Sequence, residues 1–191
     1  MKVTLLGTGN AIAGAERENT YLLVEYKDAA MMIDVGGGPL QRLKKIGVDQ
    51  EKIDTVFFTH FHIDHIYGLP SLLWGMWIMG RKAPLNIYCP SGDVERLYRY
   101  LDVIDTKNWP LPFELKIVGY DAGERVEISW HPDIRLLTVP AIHSVPTAGL
   151  EFLVENKRII YAADTMLNKH IQQFDRIDCL IHEATFAIEF L

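Results

Sequence analysis

Cysteine, long apolar runs and clustered positive charge are all scarce in this chain, and each scarcity closes off a class of protein. The two cysteines, Cys89 and Cys179, each sit in an apolar, strand-like run without a CxxC partner. Buried free thiols in a reducing compartment are therefore expected. The longest apolar tract, residues 69–80, is interrupted by Pro70 and Gly75 and is too short to span a bilayer. The N-terminal run reaches Gly7 after too short an apolar stretch for a secretory signal. A cytoplasmic protein with no membrane partner is predicted. There is also no basic run: 19 Lys and Arg stand against 25 Asp and Glu, a formal charge of −6. A polyanionic ligand would thus have to be held locally rather than along a basic track.

What remains is an ordinary globular composition. With 191 residues, 49% hydrophobic and 23% charged, the chain is long enough to bury most of its apolar surface and unlike a disordered segment. No linker, repeat or low-complexity stretch interrupts it, so one domain over residues 1–191 is predicted.

Histidine is the residue that is unevenly placed. Three of the seven fall within six positions, in Thr59-His60-Phe61-His62-Ile63-Asp64-His65, directly after the apolar run 53–58. Imidazoles and a carboxylate crowded at a strand end have little use in packing, but they suit one or two divalent metals. His60 and His62, two apart, can converge on one ion, and Asp64 and His65 lie within reach of a second. Capping the helical pattern that starts at Ile66 is the lesser reading of Asp64. Further polar residues end apolar strands: His143, Asp164, and His182 with Glu183. Each alone has a plain structural explanation (for Asp164, capping the helix after Thr165), and the case rests on their number. His131 and His170 read as surface residues.

The remaining pattern is mixed. Runs 20–26 and 30–35 flank Lys27-Asp28 as a hairpin, and 149–154 and 158–162 face each other across Glu155-Asn156-Lys157. A strand is expected at 85–89 and a buried strand at 177–181, with helices near 69–77, 93–101 (with Ser91 as a possible cap) and 168–174. Trp74, Trp77 and Met79 read first as core packing. The strand groups, each punctuated by helices, suggest two sheets packed face to face with helices outside.

Taken in order, the motifs resemble the metallo-β-lactamase superfamily, and within it the ribonuclease Z-like branch. They are Leu6-Gly7-Thr8-Gly9, Ile33-Asp34-Val35-Gly36-Gly37, the 59–65 segment, Gly68-Leu69-Pro70, His143-Ser144-Val145-Pro146-Thr147-Ala148-Gly149, Ala163-Asp164-Thr165 and His182-Glu183-Ala184-Thr185-Phe186. The resemblance implies an α/β (α+β) fold, a four-layer αββα sandwich with the metals at one edge. It implies two Zn2+, with Mn2+ or Fe as alternatives. His60, His62 and His143 would hold the first ion, Asp64 and His65 the second, and Asp164 would bridge them. Asp34 would orient the histidine loop from beneath. Asp64 and Glu183 take the catalytic positions, Glu183 as a relay of protons or a support behind the ligands.

Two departures qualify the match. Relatives continue past the 182–186 motif to a last metal-binding histidine, whereas this sequence stops at Leu191. A C-terminally incomplete domain, without its final strand and helix and with a weaker second metal site, is the expectation. The long basic arm that many ribonuclease Z enzymes use to grip transfer RNA also has no counterpart. The activity implied is hydrolysis of a phosphodiester, in a transfer-RNA precursor or a small nucleotide, by a metal-bound hydroxide. The alternatives are a thioesterase, lactonase or β-lactamase-type hydrolase on the same fold, or a non-catalytic protein with an incomplete metal site. By analogy with relatives, the partner in assembly would be a second copy, as a homodimer.

Overall fold

Short β-branched and aromatic runs alternate with helical ones, and in the computed structural model, which describes residues 1–185, they build two sheets. The chain divides into two compact units, Met1–Tyr120 and the remainder from Asp121. Phe186, the last residue of the 182–186 motif, and the terminal Leu191 lie outside the described residues.

The first unit runs β1 (Lys2–Gly7), β2 (Tyr21–Tyr26), β3 (Ala29–Ile33), α1 (Pro39–Lys45), β4 (Ile53–Phe57), α2 (Ile63–Ile66), α3 (Leu69–Ile78), β5 (Leu85–Pro90), α4 (Val94–Val103) and β6 (Leu115–Tyr120). Its six strands lie in chain order. β1, β2 and β3 pair antiparallel, the last two across a tight turn in which Lys27 takes φ 53°. From β3 to β6 every pairing is parallel. Parallel neighbours need crossovers, and the helices supply them. Leu43, Leu69, Leu72, Leu73, Met76, Leu97 and Leu101 from these helices share one buried cluster with Val56, Phe58, Ile87 and Cys89. This arrangement puts the ends of β3 and β4 side by side, where ligand sites of parallel sheets form. Buried Arg81, just past α3, donates to the carbonyls of Ala83 (2.8 Å), Pro84 (2.8 Å) and Glu51 (3.3 Å).

The second unit runs β7 (Glu127–Ile128), β8 (Arg135–Pro140), β9 (Ala148–Val154), β10 (Lys157–Tyr161), α5 (Lys169–Gln172) and β11 (Cys179–Ile181), with strand order β11-β10-β9-β8-β7. Glu155 (φ 49°) and Asn156 (φ 61°) form the β9–β10 turn, the two positive-φ positions that a tight hairpin demands. On β9 the fully buried Glu151 is neutralised by Arg125 and Arg158, the latter at 2.8 Å.

Several expectations need correction. The run 177–181 is not a buried strand: β11 is largely exposed and pairs only with β10 among the described residues, so Cys179 is exposed while Cys89 is buried. Ser91 does not cap α4, whose N-cap residue is Asp93 without a side-chain cap bond, because residues 91–93 form a 3-10 turn first. His131 and His170 are half-buried rather than surface residues. Trp74 is 46% and Met79 63% exposed, so only Trp77 of that trio packs on the core; Trp74, Trp77 and Trp109 cluster instead with one another. No helix among the described residues is long and apolar enough to cross a membrane.

Burial pushes the Cys89 thiol up to about 12. The native 191-residue chain should therefore react with a thiol reagent once, at Cys179, and twice after unfolding. Arg81→Ala should cost about 2–4 kcal/mol in a denaturant titration, because three carbonyls lose their donor in a buried setting.

Candidate metal centre

The first cluster is built on two adjacent strand ends. Asp34 leaves β3 with φ 60°, a left-handed conformation that an aspartate tolerates better than most residues. Its backbone N–H still donates to Phe57 across the strand pair, at 2.8 Å. The turn aims the carboxylate under the loop that follows β4. There Oδ1 accepts from the backbone N–H of Thr59 (2.8 Å), and Oδ2 accepts from the Thr59 hydroxyl (2.8 Å) and from His65 Nδ1 (2.8 Å). Asp34 is fully buried, so desolvation pushes its pKa up, opposed by His65 and by both Thr59 bonds.

These bonds decide the tautomers. The Thr59 hydroxyl spends its proton on Asp34, so at 3.0 Å from His60 Nδ1 it accepts, and His60 keeps its lone pair on Nε2. His65 likewise donates from Nδ1 and keeps its lone pair on Nε2, 3.5 Å from Asp64 Oδ2. His60 Nε2 lies 3.0 Å from His62 Nδ1, and the His60 ring centroid is 4.7 Å from that of His62 and 4.0 Å from that of His65. Two nitrogens held at about 2.0–2.1 Å from one tetrahedral zinc are separated by roughly 3.3 Å. The His60–His62 spacing fits such a pair. Asp64 lies inside α2, whose N-terminal cap residue is His62, so capping does not explain it.

Backbone packing holds the loop from other sides. Val35 N–H donates to His65 (2.7 Å), and Gly68 N–H to Val35 (2.9 Å). A Cβ on Gly36 would come within 2.3 Å of the Asp64 carbonyl, and one on Gly68 within 2.5 Å of the Gly37 carbonyl. Both glycines are required by this close approach. The buried Tyr120 hydroxyl reaches the carbonyls of Phe58 (2.8 Å) and Thr59 (2.9 Å). Sequence reading assigned no role to Tyr120 or Thr59. The one available signal was a tyrosine ending a strand of mostly apolar residues.

The second unit carries His143, Asp164, His182 and Glu183. The segment after β8 is fastened to the one after β10. Ile142 N–H donates to the Thr165 hydroxyl (2.9 Å), Met166 N–H to the Ile142 carbonyl (2.9 Å), and Asn168 Nδ2 to the Pro140 carbonyl (2.9 Å). His143 and Asp164 are each one residue from these bonds. Asp164 follows Ala163, which has φ 56°. It does not cap α5, because Asn168 does, accepting from His170 N–H at 2.9 Å. Glu183 accepts from Thr165 N–H (2.7 Å) and from the Thr185 hydroxyl (2.6 Å). His182 Nδ1 lies 2.8 Å from the Glu183 carbonyl oxygen.

The profile of the family described as Anti-Pycsar protein Apyc1 matches residues 1–190. The chain belongs to the Anti-Pycsar protein Apyc1 family. The motifs alone pointed to a ribonuclease Z-like protein without separating out the Apyc1 family, and the relatives agree with that broader placement. Ribonuclease Z of Methanothermobacter thermautotrophicus is 30% identical over 158 residues, covering 83% of this chain and 49% of that protein. The chain thus spans about half the length of the curated relatives it matches. Among solved structures, human tRNase Z, short form, superposes with TM-score 0.81 at 22% identity, covering 98% of this chain and 80% of that one. The metallo-β-lactamase fold protein YhfI from Bacillus subtilis gives 0.80 at 21%, covering 98% and 72%. The metallo-β-lactamase fold expected from the motifs is therefore the fold of this Apyc1 family member.

Asp34→Asn should test the support beneath the imidazoles, since its amide faces a donor with a donor. Zinc affinity, measured by competition with a chromophoric chelator, is expected to fall about 10- to 100-fold with the far-UV spectrum retained. Unchanged affinity would refute the support role.

Proposed function

We propose that the protein is a metal-dependent phosphodiesterase. The observation that carries the reading is the loop 59–65, where hydrogen bonds to Asp34 and Thr59 fix the Nδ1 side of His60 and His65 and put the lone pair of each ring on Nε2, the atom that ligates a cation. His60, His62, Asp64 and His65 would bind it, and the motif resemblance supports His143 and Asp164 as the remaining ligands. Zinc suits this imidazole and carboxylate set, with manganese or iron admitted by the same donors. When bound, the ions supply Lewis acidity and lower the pKa of water.

The chain's own groups do the rest. His60 and His62 present nitrogens at a spacing that favours one ion. Asp64 accepts a hydrogen bond from the attacking water and turns it toward phosphorus. The close approach of Gly36 to the Asp64 carbonyl, and of Gly68 to the 35–37 backbone, keeps these groups from spreading.

The names of the relatives, ribonuclease Z and tRNase Z, support a phosphodiester over a carboxylic substrate. Between the two phosphodiester readings we favour a small nucleotide. A formal charge of −6 without a basic run offers few cations along which a transfer-RNA precursor could lie. The second reading, a thioester, lactone or lactam, rests on the versatility of the fold alone.

With zinc supplied, the protein should release nitrophenol from bis(p-nitrophenyl) phosphate and leave thioester and lactam probes intact. The reverse pattern would sink the phosphodiesterase reading. Asp64→Ala should lower the phosphodiester rate by at least about 100-fold with the fold unchanged by circular dichroism.

A further inference from the structure

Glu183 stands at the acidic position of its motif, where a proton donor for the leaving oxygen is one expectation. Its carboxylate is engaged otherwise. Oε1 accepts the backbone N–H of Thr165 at 2.7 Å and Oε2 the hydroxyl of Thr185 at 2.6 Å. Thr165 is buried, and it is the residue at which two segments meet. Its hydroxyl accepts from Ile142 N–H at 2.9 Å and donates to the Met166 carbonyl at 3.0 Å. Met166 N–H returns a bond to the Ile142 carbonyl at 2.9 Å. Farther along, Ala141 N–H is taken by the Thr147 carbonyl and the Pro140 carbonyl by Asn168. The backbone flanking His143 is therefore fixed on both sides of Ile142, and the partner in that fixing is the residue next to Asp164.

We propose that Glu183 is a positioning residue that acts through Thr165 to hold His143 and Asp164 in register with each other. A carboxylate is well suited to this task, because a charge-assisted acceptor grips a backbone N–H more strongly than a neutral one. Ala163, at φ 56°, sets up the same turn by forcing a sharp change of direction just before Asp164. The anchor opposes the tendency of that turn to relax. Glu183 thus does for the second unit's ligands what Asp34 does for the first unit's histidines. This inference rests on the metal-dependent reading of the site, but its main test requires no substrate.

The experiment compares Glu183→Ala, Glu183→Gln, Thr165→Val and Thr165→Ser in the 191-residue chain. Zinc affinity is read by chelator competition, hydrolysis of bis(p-nitrophenyl) phosphate as kcat and KM across pH, and folding by thermal melting. Glu183→Ala and Thr165→Val should weaken zinc binding about 10- to 100-fold. Glu183→Gln, which keeps an acceptor for Thr165 N–H, and Thr165→Ser, which keeps the hydroxyl, should recover most of that loss without changing the shape of the pH profile. Two outcomes would overturn the proposal. In one, Glu183→Gln loses kcat as fully as Glu183→Ala at undiminished zinc affinity, the signature of a proton donor. In the other, Glu183→Ala leaves zinc affinity intact in a folded chain. Absence of phosphodiester hydrolysis in the parent protein would count against the proposed function alone, because the zinc measurements still decide the role of Glu183.

Discussion

A single buried carboxylate governs the histidine loop. Asp34 accepts three hydrogen bonds within 2.8 Å, two from Thr59 and one from His65. Burying a carboxylate is costly unless its oxygens are satisfied, and these donors are what satisfy it. The requirement runs in both directions. Thr59 and His65 keep Asp34 in the interior, and Asp34 dictates which nitrogen of His60 and His65 carries the lone pair. Because β3 and β4 are adjacent and parallel, their ends fall where one side chain can reach across.

The second unit solves a similar problem with different chemistry. Among the described residues, no buried aspartate organises His143 and Asp164 there. Backbone groups around Ile142 and Thr165 are cross-linked, and Glu183 caps the arrangement from the strand end beyond. Ligands carried on loops gain precision when the loops have no spare hydrogen-bonding capacity. Two of the positive-φ positions, Asp34 and Ala163, lie beside or within a candidate site, where chain direction must change within one residue.

Much of this was legible beforehand because it depends on local pattern. The hairpins at Lys27 and Asn156, the α3 helix and the metal-binding character of 59–65 follow from turn chemistry, periodicity and the poor fit of clustered imidazoles to packing. The misreadings of burial at apolar positions share one cause. Apolar residues were assigned to the interior from their type, yet Cys179, Trp74 and Met79 are exposed. Burial depends on what covers a face, and a segment's own residues do not specify its neighbours. Glu151 shows the converse: an acidic residue in a strand lies fully buried because Arg125 and Arg158, distant in sequence, converge on it.

The chain's residues, read in order, determined the class of fold, the family to which the motifs pointed and the side chains with metal-binding chemistry, since these depend on which groups are present and how they are spaced. Tertiary structure alone decided which nitrogen His65 presents, that Tyr120 braces the histidine loop, and that Glu183 is turned to Thr165. Each of these is a hydrogen bond between residues 18 or more positions apart, and such a bond has no local signature because its energy is realised only once the backbone has brought the partners together.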